Sequence, residues 1–322
     1  MKINLIGNKK DGRGLASDAV VLRSILEPLG YSVKDVQYNA KKAPEADLNI
    51  FLEVYSARLF WYAKKNVIIP NMEWWKAEHD NAIFDAIWCK TYHAYDLLKA
   101  KGLPAEYVAF TTEDAYRPEI KRQRRFLHIA GGSRYRNTYQ IVEAWERGYF
   151  TGGPELTVIS SELGEPPAFP GLTWIDYIDS RKIFLRMLNG SLFVLQPSQY
   201  EGFGVALWEA RAAGAVLLTT DSPPMNEATA YRYVPSLQST RRLQSPVDWA
   251  LVTPDDIWDK VMMTWNESPV ELNCHRKLAR AEWERQDRFF RKKIIKVIER
   301  VIDGSGDPND RMEAAGTDGI SS

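Results

Sequence analysis

Two glutamates eight positions apart, Glu201 and Glu209, bracket a Gly202-Phe203-Gly204 turn in the run PSQYEGFGVALWEARAAG. Carboxylates accept hydrogen bonds from paired hydroxyls, and glycines let backbone amides come close to a phosphate or a sugar hydroxyl. The apolar run SLFVLQPS precedes the turn as a strand, and an Ala-rich helix follows it. In open parallel sheets, ligands bind beyond the carboxyl ends of the strands, where helix N-termini offer unpaired N–H groups and partial positive charge. A helix starting near Gly204 leaves Glu201 in the loop and carries Glu209 between one and two turns inside, so both can face one crevice. The plainer alternative is a dipole-capping Glu201 and a solvated Glu209.

The elements that must hold these residues alternate along the whole chain. A strand (KINLIG), a glycine loop (NKKDGRGLASD), a helix (AVVLRSILEPLG) and a second strand (YSVKDVQY) open it. Strands ADLNIFLEV, NVIIPN, AIWCKT and EYVAFT then alternate with helices SARLFWYAKK, HDNAIFD and YHAYDLLKAKG, the pattern of a parallel sheet wrapped on both faces. Pro118 and a basic run interrupt the rhythm over residues 111–125, which reads as a linker, and the alternation restarts at FLHIAGG. The expected fold class is therefore α/β, two Rossmann-like doubly wound domains over residues 1–118 and 119–285. The run PVELNCHRKLARAEWERQDRFFRKKIIKVIERVID has helical period and an apolar side, and its part over 286–303 is a candidate for returning to the first domain. Residues 304–322 are small and polar, with no apolar period, and disorder is expected there.

The stretch PSQYEGFGVALWEARAAGAVLLTTDSPPMNE resembles the donor-site signature of the retaining glycosyltransferase family 4, in which Pro-Ser, Glu-Gly-Phe-Gly, a second Glu and an Ala-Gly turn recur in this order. FDAIWCKTYHAYDLLKAKGLPAEYVAFTTEDAYRP is similar to the end of that family's first domain. The resemblance implies a two-domain GT-B architecture, with a nucleotide sugar held mainly by the second domain and an acceptor entering from the first. It implies that Glu209 holds the ribose hydroxyls, and that Glu201 and the amides of Gly202, Phe203 and Gly204 contact the sugar ring and phosphate. UDP is the carrier implied by the family's habit.

A departing nucleoside diphosphate needs cationic or N–H partners. Arg134 and Arg136 in LHIAGGSRYRNTYQ are the candidates, on a loop that leaves the same rim of the sheet as Glu201. Arg136 resembles the position of a family lysine, while the usual arginine place reads Gly132-Ser133, which puts Ser133 among the donor-binding candidates. Gly14, or Gly12 before it, could meet the same diphosphate from the first domain. On the acceptor side, Asn-Met-Glu-Trp-Trp puts Glu73 beside Trp74 and Trp75, a carboxylate to orient a hydroxyl next to two rings, either of which can stack on a sugar. The chain has no Asp-x-Asp pair of the kind metal-dependent glycosyltransferases use, so transfer without a metal or other cofactor is expected.

Composition narrows the remaining classes. Lys plus Arg and Asp plus Glu number 42 each, so no global field draws the chain onto nucleic acid or an acidic membrane. Its two cysteines give neither a disulfide framework nor a zinc spacing, which suits a reducing cytoplasm. No run approaches the roughly 18 apolar residues of a membrane span, so the protein is expected to be soluble, or peripheral to a membrane at most. The acceptor is left open among lipid, glycan, protein, small molecule and modified nucleic-acid base. A nucleotide-sugar epimerase, a sugar phosphorylase and a non-catalytic nucleotide or sugar binding module are the rival readings.

Overall fold

In the computed structural model, residues 1–8, 14–81, 83–161, 167–229, 231–238 and 247–304 are described. The expectations for Gly12 and for the tail beyond Gly304 lie outside them. The first half holds β1 (Lys2–Gly7), α1 (Gly14–Leu26), β2 (Ser32–Gln37), β3 (Ala46–Leu52), β4 (Ala63–Ile69), β5 (Ala86–Cys89), α2 (Tyr92–Ala100) and β6 (Ala105–Tyr107). The strands form one parallel sheet in the order β2-β1-β3-β4-β5-β6. Five of the six β1 residues and all four of β5 are buried, as expected of strands covered on both faces.

The second half repeats the plan with β7 (Gln123–Gly131), α3 (Thr138–Gly148), β8 (Leu156–Ser160), β9 (Leu172–Ile175), α4 (Arg181–Gly190), β10 (Ser191–Gln196), α5 (Val205–Ala212), β11 (Val216–Thr220) and β12 (Arg232–Val234). Its parallel sheet runs β12-β11-β10-β7-β8-β9. Strand order reverses between β1 and β3 in one sheet and between β7 and β10 in the other. Crevices open at such switch points, beyond the carboxyl ends of the strands.

Two further helices follow, α6 (Pro254–Trp265) and α7 (Pro269–Asp303). A Ser268–Glu271 capping box starts α7 and Gly304, at φ 68°, ends it. The helix is continuous, so the expected division at 285/286 falls inside one element. Its buried face, Trp283, Phe290, Ile294, Val297 and Ile298, follows helical spacing and reaches the first domain. Trp283 Nε1 donates to Thr112 Oγ1 at 3.1 Å, Gln286 Nε2 to the Phe110 carbonyl at 2.7 Å, and Arg300 pairs with Glu106 at 2.9 Å.

Three local expectations are corrected. SARLFWYAKK is a 3-10 turn over Ala57–Tyr62 followed by the start of β4, because Ala63 and Lys65 pair with Ala46 and Leu48 and sheet pairing overrides helical propensity. EYVAFT stops being strand after Tyr107, and Ala109 turns into the left-handed region at φ 55°. The basic run at 121–125 is not all linker: β7 begins at Gln123, and while Lys121 and Arg124 are exposed, Arg122 donates to the Ser191 carbonyl at 2.8 Å in a setting dry enough to lower its pKa to about 10.

Candidate functional site

The strand ends of the two sheets face each other, and their loops meet. From the second domain, the turn after β10 brings Glu201, Gly202, Phe203 and Gly204. Gly204 stands at φ 78° immediately before α5, a conformation that excludes most side chains, and a Cβ there would lie 2.6 Å from Leu207 Cδ1. Phe203 points into the core, stacked on Trp208 at 5.3 Å between centroids and edge-on to Phe110 of the first domain at 5.6 Å. Its side chain therefore anchors the turn.

The loop after β7 is tied to the loop after β10. Asn137, at φ 56°, donates through Nδ2 to the Pro197 carbonyl at 2.6 Å and accepts from Gln199 Nε2 at 3.0 Å, and the Gln199 amide donates to the Tyr135 carbonyl at 2.8 Å. This clamp puts Arg136 against Glu201. The two form an ion pair in which the carboxylate, 4% exposed, also accepts from Ser198 Oγ at 2.8 Å. Arg134 and Arg136 share one 3-10 turn but differ in surroundings: Arg134 is exposed over the Tyr135 ring at 5.6 Å. Ser133 caps that turn without a side-chain bond. Beneath it His128, fixed between the Leu195 carbonyl and Thr138 Oγ1, is held neutral by burial, with a pKa near 4.

Glu209, 7% exposed, lies on α5 and pairs with Arg181 of α4 at 2.6 Å. Burial raises its pKa while Arg181 opposes the rise. Gly14 is the first residue of α1.

The first domain contributes carboxylates and a lysine from successive strand ends. Glu53 follows β3 in the left-handed region at φ 65°, Asn71 and Glu73 follow β4, and Lys90 follows β5. Asn71 donates to Glu53 at 2.5 Å and accepts from Lys90 Nζ at 3.1 Å, and Lys90 forms a buried ion pair with Asp18 of α1. Glu73 Oε2 is buried with no hydrogen-bond partner, and a Cβ on Gly202 would lie 2.5 Å from it. Desolvation, and then the charge of Glu53, push the Glu73 pKa up to about 7; Glu201 adds to the rise and Arg136 opposes it. Of the adjacent tryptophans, Trp74 is 51% exposed, whereas Trp75 is buried and bonded to Asp80 at 2.8 Å.

The structure thus brings Glu73, Arg136, Glu201 and Gly202 together, with Arg134 and Ser133 on the same loop as Arg136, and Glu209 further along α5. Sequence reasoning missed Glu53, Asn71, Lys90, Asp18 and Arg181. Glu53 and Lys90 had a readable signal, a charged residue terminating an apolar strand on the ligand-binding rim. Another carboxylate, Glu227, crosses between domains and accepts from the amides of Tyr92 and His93, both at 2.8 Å, at the N-terminus of α2. Among the described residues, no group of three His, Cys, Asp or Glu is placed to hold a metal ion, and no helix is long and apolar enough to cross a membrane.

No family model matches the chain, and no curated protein matches it in sequence. Solved structures match it in shape. Anabaena Alr3699/HepE in complex with UDP and glucose superposes with a TM-score of 0.67 at 8% identity, covering 93% of this chain and 99% of that one. The lipopolysaccharide outer core galactosyltransferase WaaB, in its apo form, gives 0.58 at 14% identity, covering 93% and 99%. A chain of the GtfA/B complex gives 0.58 at 13% identity over 88% of this chain, which spans 60% of its length. The shared feature is the fold, and this chain has the GT-B architecture of two doubly wound domains with facing strand ends.

Proposed function

We propose that the protein is a retaining, family-4-type glycosyltransferase that moves a sugar from a nucleoside diphosphate sugar, UDP-linked in the first instance, to an acceptor hydroxyl without a metal ion. The observation that carries this reading is the convergence of the Glu201–Gly204 turn, the Arg134–Arg136 loop and Glu73 where loops at the strand ends of the two domains meet. The fold is shared with a structure that holds UDP and glucose and with a galactosyltransferase.

In this scheme Glu209 accepts the ribose hydroxyls, and the amides of Gly202 to Gly204 at the start of α5 meet phosphate and sugar oxygens. Gly14 and Ser133 line the diphosphate. As the bond between the anomeric carbon and the phosphate oxygen breaks, negative charge collects on the diphosphate. Among the described residues, the exposed Arg134 is a cation free to turn toward it, while Arg136 acts mainly by neutralising the buried Glu201. Glu201 contacts the sugar ring. The acceptor hydroxyl, oriented by Glu73 and stacked by its ring on Trp74, attacks from the face the diphosphate leaves, and its proton passes to the departing phosphate oxygen.

Incubation with UDP-, GDP- and ADP-sugars, read by mass spectrometry for donor hydrolysis and for products with an acceptor library, tests the reading. Slow hydrolysis of one donor with retained anomeric configuration is expected. Absence of any nucleotide binding would overturn it, and conversion of the donor to an epimer, or a strict phosphate requirement, would move it to another reaction class.

A further inference from the structure

α4 begins against its own electrostatics. Ser180 caps it by accepting from the Ile183 amide, and the next two residues are Arg181 and Lys182, with no acid in the first turn. Cations at a helix N-terminus oppose the macrodipole, where acids are normally favoured. Arg181 therefore needs a stabilising partner, and that partner is the buried Glu209 carboxylate at 2.6 Å. Its guanidinium is steadied further by the Phe184 ring, 5.1 Å away on the same helix.

We propose that Arg181 is a positioning residue of the donor site, holding the Glu209 carboxylate in place by one oxygen so that the other can receive the ribose hydroxyls. This rests on the reading of Glu209 as the ribose acceptor. Arg181 contacts Oε1 of Glu209, on the side of α5 that faces α4. A fully exposed pair of this kind would contribute little, but here the carboxylate side is shielded from solvent and the attraction is screened less. Among the described residues, Arg181 from α4 and Glu113 from the segment that connects the domains, itself 3.9 Å from Arg181, are the charged groups that act on Glu209. Burial and Glu113 both favour the protonated acid, and Arg181 is the opposing influence. Without Arg181, Glu209 takes up its proton at higher pH and loses acceptor capacity for a pair of hydroxyls.

The test is calorimetric binding of UDP to the full chain between about pH 5.5 and 8.5, for wild type, Arg181→Met, Arg181→Lys and Glu209→Gln. Wild-type affinity should vary less over this range than that of Arg181→Met. Arg181→Met should bind progressively more weakly relative to wild type toward acid pH, approaching about tenfold at the acid limit for each unit by which the Glu209 pKa is displaced. Arg181→Lys should restore most of the wild-type profile, and adding Arg181→Met to Glu209→Gln should cost nothing further. Equal weakening at every pH would mean that Arg181 touches the nucleotide directly, and tighter binding would mean that it blocks the site; either overturns the proposal. Wild type that binds none of UDP, GDP or ADP would instead remove the donor-site reading, and this inference with it.

Discussion

Gly202 of the second domain and Glu73 of the first approach so closely that a Cβ on the glycine would lie 2.5 Å from the carboxylate oxygen Oε2 and 2.6 Å from Asn71 Cβ. In this arrangement the glycine admits the other domain's side chains as well as any ligand. Gly202→Ala should hold the rims apart while leaving each sheet intact. Turnover is expected to fall about 10- to 100-fold, the usual penalty for reacting groups misplaced by an ångström. Initial rates alongside small-angle scattering of both proteins would check it, and an unchanged rate would mean that the rims need not meet.

Glu73 should make stability depend on pH in an unusual direction. Its folded pKa of about 7 lies above the ordinary 4.5, so the folded protein binds the extra proton. The sign follows: stability falls as pH rises from about 4.5 to about 7 and levels off above that, by up to about 3 kcal/mol. Glu73→Gln should melt at a higher temperature than wild type in mildly alkaline buffer and at nearly the same temperature in acid, which a pair of thermal scans would show.

The two arginines of the loop after β7 should separate into a structural and a chemical role. Arg136→Ala leaves the buried Glu201 carboxylate with Ser198 as its remaining side-chain partner, and should cost about 1–3 kcal/mol of stability in a denaturant titration. Arg134→Ala, at an exposed position, should leave stability within about 0.5 kcal/mol and instead lower kcat with any accepted donor. Loss of stability in both, or in neither, would contradict this division.

Glu227 acts as a cap supplied by the opposite domain, with both of its oxygens on amides of the α2 N-terminus. Glu227→Ala should cost about 0.5–2 kcal/mol, in the range of a lost N-cap. It should also broaden the distance between labels placed on the two sheets, measured by pulsed spin-label spectroscopy; a distribution as narrow as wild type would show that the other interdomain contacts, those of α7 and of Phe203 with Phe110 among them, suffice without Glu227.

Much of the site was legible because its grammar is local. The Glu201–Glu209 turn, the positive-φ glycine before α5 and the arginines after β7 are strand-end features, and burial on both faces of a parallel strand leaves an apolar run that can be read directly. The helix misassigned over SARLFWYAKK shows where that grammar stops, since β4 starts at Ala63 only because β3 lies beside it.

The alternation of elements, and the carboxylates that precede and enter α5, are written in the local sequence, because strand and helix periods and turn chemistry act over a few residues. Tertiary structure decided which charges meet: Arg136 with Glu201, Arg181 with Glu209, Lys90 with Asp18, and Glu73 with the Gly202 backbone. Those partners stand on different elements, brought together by crossovers and by the docking of one domain on the other. No local period records such pairings, and they set which charges are buried against a partner and which stay exposed.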